Sequence, residues 1–267
     1  MRFVKMQGLG NDYIYVNAME EKVEHPEELA IKLSNRHFGI GADGLILVDS
    51  SSKADVRMDM YNADGSRGMM CGNGIRCVAK YVHDLGIVKH KKIKIETLSG
   101  IKETIILHNK NLKELFPTEN IEENEAVMVQ VNMGVPKIQE TGMEMDYISM
   151  GNPHAVMYVK ETKGLQVDKM GPALEFYRGE RVNVEFVKIL DRKRLEMRVW
   201  ERGSGETLAC GTGACAAAVS SIARSLTERK VRIKLLGGEL LVEWKREDGN
   251  VYLTGPAVTV FEGEITR

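Results

Sequence analysis

The chain repeats one cysteine motif, and this repeat constrains its fold more than any other feature. Residues 71–74 read Cys-Gly-Asn-Gly and residues 210–213 read Cys-Gly-Thr-Gly, and an apolar run typical of a helix follows each motif. A Gly-Asn element precedes each motif: Asn11 lies 60 residues before Cys71, and Asn152 lies 58 residues before Cys210. Matching elements at matching distances indicate two related domains, each formed by about half of the 267 residues.

The boundary between the domains is expected between the two copies. A stretch at 109–125 contains Pro117 and five glutamates and separates two strand-like segments. The first domain then comprises residues 1–117 and carries Cys71, and the second comprises residues 118–261 and carries Cys210. Whether residues 262–267 return to the first domain is left open by the sequence.

Hydrophobic periodicity predicts many short strands in both halves and few helices. The predicted helices cover residues 26–35, 74–85 and 213–225, with a weaker one at 167–174. No strand–helix–strand alternation of the doubly wound kind is visible in the pattern. The expected fold class is therefore α+β (α/β), with two pseudo-symmetric sheet-rich domains that each wrap around a central helix.

Charge and hydropathy exclude several classes of function. There are 37 basic and 38 acidic residues, so a net charge of −1 gives no electrostatic attraction to nucleic acid or an anionic membrane. No apolar run reaches the roughly 18 residues of a membrane span, and the N-terminus lacks a signal-peptide core. We therefore expect a cytoplasmic protein with no nucleic-acid or membrane partner.

The chain has four cysteines, and their spacing does not favour a metal site. Five residues separate Cys71 from Cys77 and four separate Cys210 from Cys215, wider than most paired zinc ligands. The first cysteine of each pair precedes a helix, whose N-terminus carries partial positive charge and is expected to lower the thiol pKa. Cys77 and Cys215 lie inside the predicted helices and are expected to be structural.

Two reactive sulfurs in two related domains suggest chemistry that is itself symmetric. Inversion of a stereocentre needs a base on one face of a carbon and an acid on the other, and two thiols can exchange these roles. A hydrolase with one Cys–His pair would not need the second cysteine. No phosphate-binding Gly-x-x-x-x-Gly-Lys-Ser/Thr loop is present.

Several ordered motifs then carry a family resemblance. They are Gly8-Leu-Gly-Asn-Asp12, Asn62-Ala-Asp-Gly-Ser66, the segment 71–77, Gly151-Asn-Pro-His154, Arg181-Val-Asn183 and the segment 201–213. Through these motifs the sequence closely resembles the diaminopimelate epimerase family along its whole length. The resemblance implies two similar domains that close over the substrate, LL- and meso-2,6-diaminopimelate. It also implies an isomerase of lysine and cell-wall precursor synthesis, usually a homodimer, that needs no pyridoxal phosphate, other cofactor or metal.

The resemblance also implies a role for each matching residue. Cys71 and Cys210 match the two catalytic cysteines, and His154 and Glu201 match residues that tune the thiols. The positions matching substrate-binding residues are Asn11, Asn62, Gly72, Asn73, Asn152, Asn183, Glu201, Arg202, Gly211 and Thr212. At Gly72-Asn73 and Gly211-Thr212 the backbone N–H groups are expected to hold the reacting carboxylate. Arg202 suits a carboxylate because its guanidinium binds in a bidentate fashion.

One departure from the family and two alternatives remain. Some members have glutamine where this chain has Gly44, so any substrate contact of that glutamine must be lost or replaced. Another cofactor-independent two-cysteine racemase, of the proline racemase type, is the alternative enzyme, although several polar positions with Arg202 favour a substrate with two amino-acid ends. A redox or metal-binding module is the alternative from another class.

Overall fold

The computed structural model describes residues 1–107, 126–142, 144–177 and 179–266. The predicted joint at 109–125 and the predicted boundary between residues 117 and 118 lie outside the described residues. The chain divides into two compact units, and unit 1 comprises Met1–Val131 and Gly255–Arg267, whereas unit 2 comprises Asn132–Thr254. The returning segment is longer than 262–267, because residues 258–264 pair antiparallel with the first strand of the chain.

Unit 1 is built mainly of short strands. Its strands are β1 (Arg2–Gly8), β2 (Asn11–Asn17), β3 (Gly44–Asp49), β4 (Val56–Asn62), β5 (Arg67–Gly68), β6 (Lys92–Thr97), β7 (Gly100–Leu107) and most of β8 (Ala126–Gly134). Its helices are α1 (Pro26–Ser34) and α2 (Gly72–Asp84). The long strand β19 (Val251–Glu264) begins in unit 2 and ends in unit 1.

Unit 2 repeats this plan. Its strands are β9 (Lys137–Glu140), β10 (Met145–Ser149), β11 (Pro153–Tyr158), β12 (Phe176–Tyr177), β13 (Glu180–Arg181), β14 (Asn183–Asp191), β15 (Arg194–Glu201), β16 (Gly205–Glu206), β17 (Lys230–Leu235) and β18 (Gly238–Trp244). Its helices are α3 (Val167–Leu174) and α4 (Gly211–Ala223). The expectation of a sheet-rich α+β fold in two halves is confirmed.

The helices connect parallel strands, but these units do not form a doubly wound alternation. In unit 1, α1 lies between the parallel strands β2 and β3, and α2 between β4 and β6. In unit 2, α3 lies between β11 and β14, and α4 between β15 and β17. Antiparallel pairs such as β1–β2 and β3–β4, and the two-residue strands β5 and β16, interrupt the alternation in sequence and hide these units.

One helix in each unit is central. Helix α2 buries every residue from Gly72 to Val82 and contacts β1, β2, β6 and β7. Helix α4 is alanine-rich and nearly all buried, and it contacts β10, β11, β14, β17 and β18. A helix surrounded by strands needs apolar residues on all sides, which explains the composition of α4, whereas α2 also buries the polar Asn73, Arg76 and Lys80. Within the described ranges, no helix has the length and apolar character needed to cross a membrane.

Candidate active site

Both repeated cysteines occupy the N-cap position of a central helix. Cys71 precedes α2 with φ −125°, and Cys210 precedes α4 with φ −118°, so both residues have extended backbone. The two helices begin two residues earlier than predicted because the glycines after each cysteine already form the first turn. The prediction that each sulfur lies at a helix N-terminus is confirmed.

The same strand register surrounds both cysteines. In unit 1, Tyr13 in β2 lies opposite Gly44 in β3. In unit 2, His154 in β11 lies opposite Asn183 in β14. Tyr13 and His154 are equivalent, because they lie two residues after Asn11 and Asn152. Each unit therefore brings the same strand ends to the edge of the sheet where its central helix begins.

Beneath each helix N-terminus the two units differ. A Cβ atom at Gly74 would lie 2.9 Å from Ile46 Cδ1, whereas a Cβ atom at Gly213 would lie 2.6 Å from Glu185 Oε1. Ile46 lies two residues after Gly44, and Glu185 lies two residues after Asn183. The two residues therefore occupy equivalent positions in the strand register. The same place thus holds a methyl group in unit 1 and a carboxylate in unit 2.

In unit 1 an asparagine contacts the sulfur. The Cys71 thiol donates to Asn11 Oδ1 over 3.1 Å, and the Gly74 N–H donates to Cys71 Sγ over 3.4 Å. Asn11 Nδ2 in turn donates to Asp43 Oδ2 over 2.8 Å. Because Asp43 accepts from the amide nitrogen of Asn11, the amide oxygen must point towards Cys71.

Asp43 is itself held by charge. Arg36 donates to Asp43 Oδ1 over 3.0 Å and also to Asp12, and the Asp12 backbone N–H donates to Asp43 Oδ2 over 3.1 Å. Burial, and then the charge of Asp12, raise the pKa of Asp43 above its ordinary value. Sequence reasoning missed this residue, because its Gly-Ala-Asp-Gly context indicates only a turn.

Two other asparagines of unit 1 are engaged within the protein. Asn62, the last residue of β4, donates through Nδ2 to Ser66 Oγ over 2.9 Å. Asn73 is buried, and its Oδ1 accepts from Arg76 Nη2 over 2.9 Å. The Asn73 side chain therefore faces the protein, which agrees with a role through its backbone N–H alone.

In unit 2 a carboxylate acts on the sulfur through its charge. The buried Cys210 thiol lies 3.5 Å from Thr212 Oγ1, and the negative charge of Glu201, the last residue of β15, opposes formation of a thiolate. Glu201 accepts from the Thr207 hydroxyl. A nearby negative charge stabilises the protonated form of a thiol.

The remaining predicted residues of this half-site form a hydrogen-bonded chain. His154 is fully buried, with Nδ1 2.7 Å from Glu185 Oε1 and Nε2 3.1 Å from Asn152 Oδ1. Asn152 Nδ2 donates to Thr212 Oγ1 over 3.3 Å. Glu185 was not predicted, although a single glutamate among the apolar residues Val184, Phe186 and Val187 was a signal.

The predicted lowering of the thiol pKa is wrong for Cys210. Burial, followed by the charges of Glu201 and Glu185, raises the pKa of the Cys210 thiol well above its usual value. The helix N-terminus contributes in the opposite direction through the Gly213 N–H but does not prevail. Burial also raises the pKa of Glu201. This half-site therefore favours neutral, protonated groups.

Asn183 and Arg202 lie together at the edge of unit 2. Asn183 Oδ1 accepts from the Arg202 backbone N–H over 3.0 Å, and the Arg202 guanidinium donates to the Arg181 carbonyl oxygen over 3.3 Å. The Arg202 side chain is exposed, whereas Asn183 is buried. An exposed guanidinium at this edge retains donors for a carboxylate.

Gly44 leaves no room for a side chain. A Cβ atom there would clash with the Tyr61 carbonyl oxygen and would lie 2.8 Å from Tyr13 Cε1. A glutamine at this position therefore requires a different path of β3.

The chain shares its sheet-rich fold with solved structures that include a predicted epimerase and a probable proline racemase. A predicted epimerase from Pseudomonas aeruginosa aligns with TM-score 0.75 at 13% identity, covering 100% of this chain and 99% of the other. A probable proline racemase from Agrobacterium radiobacter aligns with TM-score 0.66 at 16% identity, covering 99% and 92%. At such low identity these similarities establish the fold alone.

Sequence similarity is more specific. The family model described as diaminopimelate epimerase matches residues 3–139 and 146–260. A diaminopimelate epimerase from Acetivibrio thermocellus is 48% identical, covering 99% of this chain and 98% of the relative. One from Methanococcus maripaludis is 45% identical over 99% of each. The chain belongs to the diaminopimelate epimerase family.

Proposed function

We propose that this protein is an isomerase that interconverts LL- and meso-2,6-diaminopimelate by proton transfer at Cα, in lysine and peptidoglycan precursor synthesis. The observation that carries the proposal is the 48% identity over 99% of the chain with a protein of that name. The cysteine at the N-terminus of each central helix supports it, because inversion needs two proton carriers.

The proposed chemistry uses one sulfur as base and the other as acid. One thiolate takes the α-proton, the electron pair of the C–H bond passes to the carbon and its carboxylate, and the other thiol gives its S–H proton to the opposite face. Burial and the charges of Glu201 and Glu185 raise the pKa of Cys210, which supports Cys210 as the acid of the resting enzyme. Cys71 then acts as the base, and the roles are exchanged after each turnover.

The proposed substrate contacts follow from the chemistry of a double zwitterion. Arg202 binds a carboxylate, and the amides of Asn11, Asn62, Asn152 and Asn183 offer donors and acceptors to the charged ends. The backbone N–H groups at Gly72-Asn73 and Gly211-Thr212 hold the reacting carboxylate. They belong to the first turns of α2 and α4, where unsatisfied N–H groups favour an anion.

The proposed reaction needs neither metal nor pyridoxal phosphate, because helix N-termini and backbone N–H groups stabilise the developing negative charge. In the part of the chain that the structure describes, no group of three or more His, Cys, Asp or Glu side chains is arranged to hold a metal ion. Excess chelator and a carbonyl reagent that destroys pyridoxal phosphate should leave the rate unchanged. A loss of rate that added metal or pyridoxal phosphate restores would reject this part of the proposal.

The decisive experiment is α-deuterium incorporation in heavy water. The purified protein should introduce deuterium at Cα of LL-diaminopimelate while producing the meso isomer. L-proline in a parallel reaction should exchange no deuterium. Exchange into proline but not into diaminopimelate would favour the proline racemase type instead.

We also propose a cytoplasmic homodimer. None of the four cysteines, all of which lie in the described ranges, forms a disulfide bond, which suits a reducing compartment. Val260 and Phe261 in β19 expose about half of their apolar side chains, 54% and 46%, which suits a contact with a second copy. Light scattering at several concentrations tests the dimer, with Phe261→Ser as the variant expected to weaken it, and cell fractionation tests the location.

A further inference from the structure

Glu185 is an unusual residue for the interior of a sheet. Its side chain is fully buried in unit 2, and Oε1 lies 2.7 Å from His154 Nδ1. Its second oxygen, Oε2, is buried with no hydrogen-bond partner among the described residues. Burying a carboxylate with one unpaired oxygen lowers the stability of the fold. This cost suggests a role for Glu185 other than stabilisation.

The fold itself does not require a carboxylate at this position. The equivalent residue of unit 1 is Ile46, which packs beneath the helix N-terminus in the same way. Gly213 opens the space that Glu185 occupies, since a Cβ atom there would lie 2.6 Å from Oε1 and 3.3 Å from Cys210 Sγ. The glycine and the glutamate therefore act together at the base of this half-site.

Glu185 is linked to the sulfur by hydrogen bonds. His154 Nε2 lies 3.1 Å from Asn152 Oδ1, Asn152 donates to Thr212 over 3.3 Å, and Thr212 lies 3.5 Å from Cys210 Sγ. Each side chain in this series has its orientation fixed by the one before it. A change at Glu185 therefore reaches the sulfur both through this series and through its charge.

The titratable groups that face this site come from four elements. They are His154 on β11, Glu185 on β14, Glu201 on β15 and Cys210 at the start of α4. Both carboxylates oppose formation of a thiolate at Cys210, and Glu185 also opposes ionisation of Glu201. His154 is held on both ring nitrogens, so its orientation depends on Glu185.

We propose that Glu185 is a positioning residue that fixes His154, Asn152 and Thr212 around Cys210 and keeps this cysteine protonated in the resting enzyme. This inference rests on the proposed function in one respect, the role of Cys210 as proton donor. It assigns to Glu185 a role in the reaction without contact with the substrate.

The test is an ultraviolet titration of the Cys210 thiolate. The difference between the wild-type protein and Cys210→Ala isolates this thiol, and the same difference is measured in the Glu185→Gln background. The midpoint should fall when Glu185 becomes neutral, because a buried negative charge near the sulfur is removed. Glu196→Gln is the matched control: this carboxylate of β15 in the same unit accepts from Thr162, and its loss should leave the midpoint unchanged.

An unchanged or higher midpoint in Glu185→Gln would overturn the proposal. If that variant does not fold, Glu185→Ile introduces the residue found at the equivalent position of unit 1 and permits the same measurement. Thermal unfolding alone does not distinguish the roles, since a purely structural Glu185 would lower Tm without moving the midpoint, and that result also overturns the proposal.

Kinetics supply a second readout. Glu185→Gln should lower kcat about ten- to hundredfold with KM near the wild-type value, since the lost charged hydrogen bond does not involve the substrate. A raised KM at unchanged kcat would contradict a positioning role. The titration needs no turnover, so a midpoint that falls in a protein inactive on diaminopimelate would reject the proposed function while retaining the role of Glu185 at Cys210.

Discussion

The two half-sites share a backbone plan and differ in charge. Around Cys71 the contact is an amide, Asn11, oriented by Asp43, and the position beneath the helix holds Ile46. Around Cys210 the carboxylate of Glu201 acts on the sulfur through its charge, and the position beneath the helix holds Glu185. Duplication thus supplied two equivalent places for a sulfur, and divergence of the neighbouring strands gave each sulfur its own electrostatic surroundings.

The central helices extend this contrast. In α2, the fully buried Arg76 lies five residues after Cys71 and donates to the carbonyl oxygens of Pro256 and Gly72. The residue five positions after Cys210 in α4 is Cys215, which is small and buried. A buried cation therefore accompanies the first cysteine, and buried carboxylates accompany the second.

The largest effect should follow removal of either sulfur. Cys71→Ala and Cys210→Ala should each lower the epimerisation rate about 10²–10⁴-fold or more, because each removes a proton carrier. Cys77→Ala and Cys215→Ala should retain near-native rates, since both residues are buried inside the helices. Turnover at the wild-type rate by either of the first two variants would break the two-sulfur mechanism.

Alkaline pH should destabilise both units through their buried thiols. Burial raises the pKa of Cys77 to about 11, and burial with two carboxylates raises the pKa of Cys210. The thiol pKa in the unfolded chain is about 8.5. The stability that each protonated thiol contributes is therefore present below that pH and is lost as the pH rises through the thiol pKa of the folded protein. For Cys77 the loss amounts to on the order of 3 kcal/mol near pH 11.

Urea unfolding at a series of alkaline pH values measures this loss. Cys77→Ala should remove the part of the alkaline stability loss that arises in unit 1. Cys210→Ala should remove the part that arises in unit 2. If both variants kept the full wild-type pH dependence, burial of these thiols would not be its cause.

Glu201→Gln should separate activity from stability in unit 2. The variant loses a negative charge that opposes thiolate formation at Cys210, so kcat should fall roughly ten- to hundredfold. Because burial raises the pKa of Glu201, its stabilising contribution is present below about pH 4.3 and lost as the pH rises through the raised value. Tm at neutral pH should therefore not fall. Glu206→Gln, which breaks the pair with Arg198, is the control expected to lower Tm with little change in kcat.

The smallest effect compares the glycines beneath the two sulfurs. Alanine at Gly213 meets Glu185, which is fixed by His154, whereas alanine at Gly74 meets the end of the Ile46 side chain, which can rotate. Overpacking should cost about 1–3 kcal/mol at Gly213 and about 1 kcal/mol or less at Gly74. Thermal unfolding of both variants measures the two losses of stability. Equal losses would show that the Glu185 side chain moves aside as readily as that of Ile46.

Local patterns predicted the fold well where the cause was local. The glycines after each cysteine and the apolar runs placed both central helices to within two residues at their starts. The crossovers were missed, because parallel pairing joins strands that are separated by a helix and a turn. Asp43 and Glu185 were missed for the same reason: their importance depends on residues that only the sheet register brings near.

The sequence by itself determined the duplication, the N-cap position of Cys71 and Cys210 and the family, because these depend on residue order and on short-range backbone geometry. Only the tertiary structure decided the electrostatic surroundings of Cys210. The thiol pKa of Cys210 is set by burial and by carboxylates on β14 and β15, which outweigh the helix N-terminus that the sequence made visible. Desolvation and charge act through space, and strand register rather than sequence distance determines which residues face a sulfur.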